Sequence, residues 1–130
     1  SSIAGRIGEP MWGPYAASKF ALEGFSESLR QEVEAFGINV VLIEPTPFKS
    51  NAEASRQENY YLKENSPYAE QAEAINRNFE QLIQHAMETH EIVDTMKQIL
   101  SEEKPNFRYP IGKIMGQDLK DIPNHSVKID

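Results

Sequence analysis

A tyrosine and a lysine stand four residues apart in Tyr15-Ala16-Ala17-Ser18-Lys19. On a helix, that spacing puts both side chains on one face, one turn apart. A phenol titrates near ~10 and is a poor acid–base catalyst at neutral pH unless its anion is favoured. A cation within reach lowers that value by about 1–3 units and brings it toward the working pH. The two residue types thus have a chemical reason to occur together, but the spacing alone is weak evidence. Tyr109 and Lys113 repeat it, with Pro110 and Gly112 in between arguing against a helix. That second pair is not expected to share a face.

A helix must hold the first pair, and the surrounding residues supply one. Gly5, Gly8, Pro10, Gly13 and Pro14 mark residues 1–14 as a loop, with Pro14 suited to a first helical turn. From Tyr15 to Phe36 the residues Leu22, Phe25, Leu29, Val33 and Phe36 recur at three- and four-residue steps. They predict a buried stripe, with Glu23, Glu27, Arg30 and Glu34 largely outside it and Gly37 as the C-terminal cap. Ile38 to Ile43 is a short, β-branched, nearly continuous apolar run, as expected of a strand covered on both faces in a parallel sheet. Pro45 and Pro47 follow it, and the polar stretch 48–65 reads as a loop with some helix.

Ser66-Pro67 resembles a helix start, and Ala69, Ala72, Ile75, Phe79, Leu82, Ile83 and Ala86 trace an apolar face after it. Thr89 is the expected cap of a further helix with Val93, Met96, Ile99 and Leu100 inward. Residues 107–110 read as a second strand, and residues 113–130 as an irregular tail. Strand, helical crossover and strand make a right-handed parallel unit. Two strands do not complete such a sheet. The expected class is α/β.

Bulk properties narrow the partners. The 130 residues suit one domain able to bury roughly two-thirds of its unfolded surface. A formal net charge of -7 argues against nucleic acid, because phosphate binding needs clustered Lys and Arg. No basic run exceeds two residues, which disfavours an anionic membrane surface, and no apolar stretch approaches the ~20 residues of a membrane span. The absence of cysteine removes disulfides, thiolate metal sites and Cys nucleophiles, and fits a cytoplasmic protein. His85, His90 and His125 share no ligand spacing, so no metal site is expected. The chain opens without Met, as a piece of something longer would.

Ser2 lies in Ser1-Ser2-Ile3-Ala4-Gly5, thirteen residues before Tyr15, and Glu44-Pro45-Thr46-Pro47-Phe48-Lys49-Ser50 follows the first strand. With Tyr15-Ala16-Ala17-Ser18-Lys19-Phe20-Ala21-Leu22-Glu23-Gly24, these stretches resemble the short-chain dehydrogenase/reductase family over about residues 1–112. The resemblance implies the C-terminal portion of a Rossmann-type doubly wound parallel sheet: its last two strands and flanking helices. Residues 1–112 would be the catalytic part of one NAD(P)-binding domain whose N-terminal half is missing.

It also implies site residues. Ser2 would hydrogen-bond the substrate oxygen, Tyr15 would donate or accept the proton, and Lys19 would hold the nicotinamide ribose and lower the Tyr pKa. Pro45, Thr46, Phe48 and Ser50 would contact the nicotinamide end of NAD or NADP. Thr46 stands where the family has Gly, which puts the backbone conformation there in question. Trp12, Phe48, Tyr60 and Tyr61 are candidates to line a pocket for a bulky, apolar alcohol or ketone, and ordinary partial burial explains each equally well. A homo-oligomer is expected of the full-length form. The chain contains no Gly-rich strand-to-helix turn, so by itself it is expected neither to bind dinucleotide nor to be active. The alternative is a non-catalytic binding or assembly module of the same fold that lacks cofactor binding.

Overall fold

The computed structural model describes residues 1–50, 66–114 and 116–121. Tyr60, Tyr61 and His125 lie outside the described residues. The chain forms two compact units, residues 1–46 with 90–130 and residues 47–89.

In the first unit, a 3-10 turn over Ile3–Gly5 precedes helix α1, Gly13–Val33, which tightens into 3-10 geometry over Glu34–Phe36. Pro14 sits in the opening turn of α1, and Gly37 ends the helix in the left-handed region at φ 73°, as expected. Strand β1, Leu42–Pro45, lies parallel to β2, Arg108–Ile111, with Leu42 opposite Arg108 and Pro45 opposite Ile111. The parallel pairing agrees with the α/β reading.

The first strand begins four residues later than the apolar run suggested. Its ladder starts where a partner exists, with Leu42 N–H donating to Phe107 C=O at 2.7 Å, and Ile38 is exposed. Nor is it uniformly buried: Leu42, Glu44 and Thr46 are buried, with Ile43 and Pro45 only half-buried between them.

The orientation of α1 corrects a larger expectation. Its buried residues are Ala16, Glu23 and Ser26, whereas Leu22 and Phe25 are exposed, Phe25 by 65%. The apolar stripe lies roughly a quarter of the helix circumference away from the buried face. Small side chains let the helix backbone approach the rest of the unit, and Glu23 is taken inward by Arg108.

Helix α3, Thr89–Ser101, buries Ile92 and Ile99, while Val93, Met96 and Leu100 of the expected inner face are exposed. Among the described residues after Gly112, β3, Lys113–Ile114, pairs antiparallel with β4, Gln117–Asp118, and a 3-10 turn spans Leu119–Asp121. Gly112 and Gly116 take positive φ values of 106° and 82°, which lets the chain reverse there. Leu119 donates its N–H to Gly112 C=O at 2.8 Å and is fully buried.

The second unit contains α2, Ala69–Gln84. Ser66 Oγ accepts from Tyr68 N–H at 3.2 Å, so the expected cap residue organises the turn just before the helix. Phe48 bridges Met87, and Lys49 pairs with Glu88. Thr89 Oγ1 donates to Lys49 C=O, tying its hydroxyl to that turn rather than to the helix N–H groups it was expected to cap.

Candidate active site

Ser2 has extended backbone and caps the first 3-10 turn, its Oγ accepting from Ala4 N–H at 3.2 Å. Gly5 closes that turn against α1. A Cβ at Gly5 would lie 2.9 Å from Glu23 Cγ and 2.9 Å from Ser1 Oγ, so the close approach requires glycine. The Ser2 turn is therefore seated directly on the helix that carries Tyr15 and Lys19.

The chain enters α1 through Met11, whose φ of 66° is the left-handed value rare for a side chain of that size. The next residue, Trp12, meets the Tyr15 ring edge-on, with centroids 5.7 Å apart. Tyr15 is exposed by 41%, so its hydroxyl-bearing ring is open to a ligand. Lys19 places Nζ 5.3 Å from the Tyr15 ring centroid, as the one-turn spacing predicts. Ser18 Oγ donates to Tyr15 C=O at 2.7 Å, a local helix contact.

Beneath this face lies a charge cluster. Glu44 on β1 is fully buried and has Arg6 Nη1 at 3.3 Å from one carboxylate oxygen and Arg108 Nε at 3.3 Å from the other. Arg108 Nε also lies 3.2 Å from Glu23 Oε2, and its Nη2 lies 3.4 Å from Glu27 Oε2. Burial pushes the Glu44 carboxyl up to about 7, against the pull of Arg6 and Arg108 and with Glu23 adding to the rise.

A raised folded value means that the stabilisation is complete below the ordinary carboxyl value of 4.5 and is lost as pH rises to about 7. In the full-length protein, thermal melts across this window should therefore show a midpoint falling with pH. Glu44→Gln should flatten that slope, and an unchanged slope would assign it to other groups.

Sequence reasoning missed this cluster and placed Glu23 outside. The available signals were a Glu ending an apolar strand and a second acid one turn beyond Lys19. Pro45 and Thr46 end β1, where Thr46 N–H donates to Ile111 C=O at 2.9 Å. Ser2, Tyr15, Lys19, Pro45 and Thr46 thus belong to one unit, and Phe48 and Ser50 belong to the other. Among the described residues no group of His, Cys, Asp and Glu is arranged to hold a metal, and His85 and His90 are exposed.

Residues 1–61 match the family model described as short chain dehydrogenase. The chain is 39% identical over 112 residues to a probable short-chain type dehydrogenase/reductase of Helicobacter pylori, covering 86% of this chain and 41% of that protein. The chain belongs to the short-chain dehydrogenase/reductase family.

Two further relatives of this family widen the comparison. A Bacteroides thetaiotaomicron protein named 3-ketodihydrosphingosine reductase is 31% identical over 88% of this chain and 43% of its own length. A Bos taurus dehydrogenase/reductase SDR family member 9 is 35% identical over 87% of this chain and 39% of its own. The chain thus spans about two-fifths of the length of these short-chain dehydrogenase/reductase relatives. Thr46 has no positive φ: among the described residues only Met11 does so without being glycine. Among the described residues no helix is long and apolar enough to cross a membrane.

Proposed function

We propose that the full-length protein transfers a hydride between NAD or NADP and an alcohol/carbonyl pair, with Tyr15 as its acid–base group. The observation that carries this reading is Tyr15 and Lys19 on one open face of α1, beside the seated Ser2 turn and inside the matched family segment. A hydroxyl, a phenol and an ammonium form a donor set suited to a carbonyl oxygen and a ribose diol. The cofactor, when bound, supplies or accepts the hydride.

Every other task falls to the chain. In reduction, Ser2 Oγ donates a hydrogen bond to the substrate oxygen as charge gathers there, and Tyr15 delivers the proton from its hydroxyl. Lys19 holds the nicotinamide ribose and favours the phenolate left behind. Pro45 and Thr46 border the nicotinamide end. Oxidation reverses the proton's path.

In this reading β1 and β2 are the last two strands of a larger Rossmann-type sheet in a cytoplasmic enzyme. The substrate class is a bulky, apolar alcohol or ketone. Trp12 packed edge-on to Tyr15 supports it, as does a relative named for reduction of 3-ketodihydrosphingosine. The uncovered stripe of Leu22, Phe25 and Phe36 supports a homo-oligomer of the full-length form.

The test is an absorbance assay of the full-length protein with both reduced dinucleotides and a series of ketones of increasing apolar size. Cofactor oxidation is expected to rise with apolar bulk. Turnover confined to small polar ketones would reject the substrate class. A folded full-length protein that neither binds nor oxidises either dinucleotide would favour the non-catalytic module.

A further inference from the structure

We propose that Arg6, Glu23, Glu44 and Arg108 are positioning residues, a buried charge cluster that sets the Ser2 turn in register with the Tyr15–Lys19 face of α1. The inference rests on the acid–base reading of Tyr15. The four residues come from four places in the chain. Arg6 is the C-terminal cap of the Ser2 turn, Glu23 lies one helical turn past Lys19, and Glu44 and Arg108 lie on neighbouring strands. Each of the three elements that must meet at the site therefore contributes a charge to the same junction.

The geometry links them in series. Arg6 ties the turn to Glu44 at 3.3 Å, and Arg108 bridges Glu44 at 3.3 Å and Glu23 at 3.2 Å. On the other side of the turn, Gly5 leaves no space against Glu23 Cγ. The turn that carries Ser2 is thus held by an ion pair on the sheet side and by direct contact on the helix side. Displacing Glu23 frees the helix-side contact and removes one of the two carboxylates that hold Arg108.

Stability alone does not account for the cluster. Both oxygens of Glu44 and Oε1 of Glu23 are buried without a hydrogen-bond partner. Buried charges lose hydration that their partners seldom restore, and apolar residues of similar volume often do as well or better. A guanidinium held at Nε between two carboxylates does, however, restrict where the helix and the strands can meet, which non-directional apolar contacts do not. Catalysis is sensitive to such offsets, since a displacement of about 1 Å can cost on the order of 10²-fold in rate.

The experiment compares Arg6→Met, Arg6→Lys and Glu23→Gln with wild type and Tyr15→Phe in the full-length enzyme. The readouts are kcat, KM, cofactor affinity and thermal midpoint. Arg6→Met and Glu23→Gln are each expected to lower kcat about tenfold, with KM and cofactor Kd within about twofold of wild type. Arg6→Lys keeps the charge on a flexible stem and should recover part of the loss. The double variant should lose little more than the worse single, because both act on the same turn.

Folded Arg6→Met and Glu23→Gln enzymes with wild-type kcat would overturn the proposal, as would a loss confined to KM or cofactor affinity. Should Arg6→Met fail to fold, Arg6→Lys decides alone: a lowered kcat at constant KM supports positioning, and an unchanged kcat rejects it. Tyr15→Phe separates this inference from its premise. If that variant is inactive while the cluster variants turn over normally, only positioning fails. If Tyr15→Phe is fully active, the acid–base reading itself is lost.

Discussion

Tyr15→Phe in the full-length enzyme is expected to slow the chemical step by about 10²–10⁴-fold, the usual worth of a positioned acid or base. The substitution removes one oxygen and keeps the ring. The edge-on contact with Trp12 and the stacking of Lys19 on the ring involve the ring itself, so both should survive. Tyr15 is also 41% exposed, so loss of its hydroxyl strands no buried partner, and the fold should be unaffected. Single-turnover absorbance of the cofactor isolates the step from binding and product release. Ser2→Ala should also slow chemistry, by less, because its hydrogen bond strengthens only as charge develops on the substrate oxygen. A Tyr15→Phe enzyme matching the wild-type single-turnover rate would transfer the proton role elsewhere.

Local signals were legible and long-range ones were not. The ends of α1 could be read because Pro14 and Gly37 act through their own backbone geometry. The Tyr15–Lys19 pairing could be read because helical spacing alone brings those side chains together. The rotation of α1 was hidden because Glu23 turns inward toward Arg108, 85 residues later. A charge that far along the chain leaves no mark on local periodicity. The first strand shifted for a related reason: its bounds follow the ladder with β2, not its own apolarity. In the tail, Leu119 is flanked by Asp118 and Lys120 in a stretch of weak periodicity, so its burial was not announced. The charge cluster escaped for all these reasons together, since its members come from four stretches that only the fold unites.

Lys19→Ala carries the second large effect, and it bears on cofactor use rather than on proton transfer alone. The ammonium is one turn from Tyr15 and only half-buried, so it is placed to donate to a ribose as well as to face the phenol ring. Hydrogen bonds to a charged group contribute about 1.5–3 kcal/mol, equivalent to roughly 10–100-fold in affinity. Removing Lys19 should therefore weaken dinucleotide binding by about that factor, whereas Tyr15→Phe should leave binding within a few-fold.

Calorimetric titration of NAD and NADP into the full-length wild type and its Lys19→Ala variant measures this directly. The account predicts saturable binding of at least one dinucleotide to wild type and a roughly 10–100-fold weaker Kd in a folded Lys19→Ala protein. A folded wild type that binds neither dinucleotide, or a Lys19→Ala variant that binds as tightly as wild type, would contradict it.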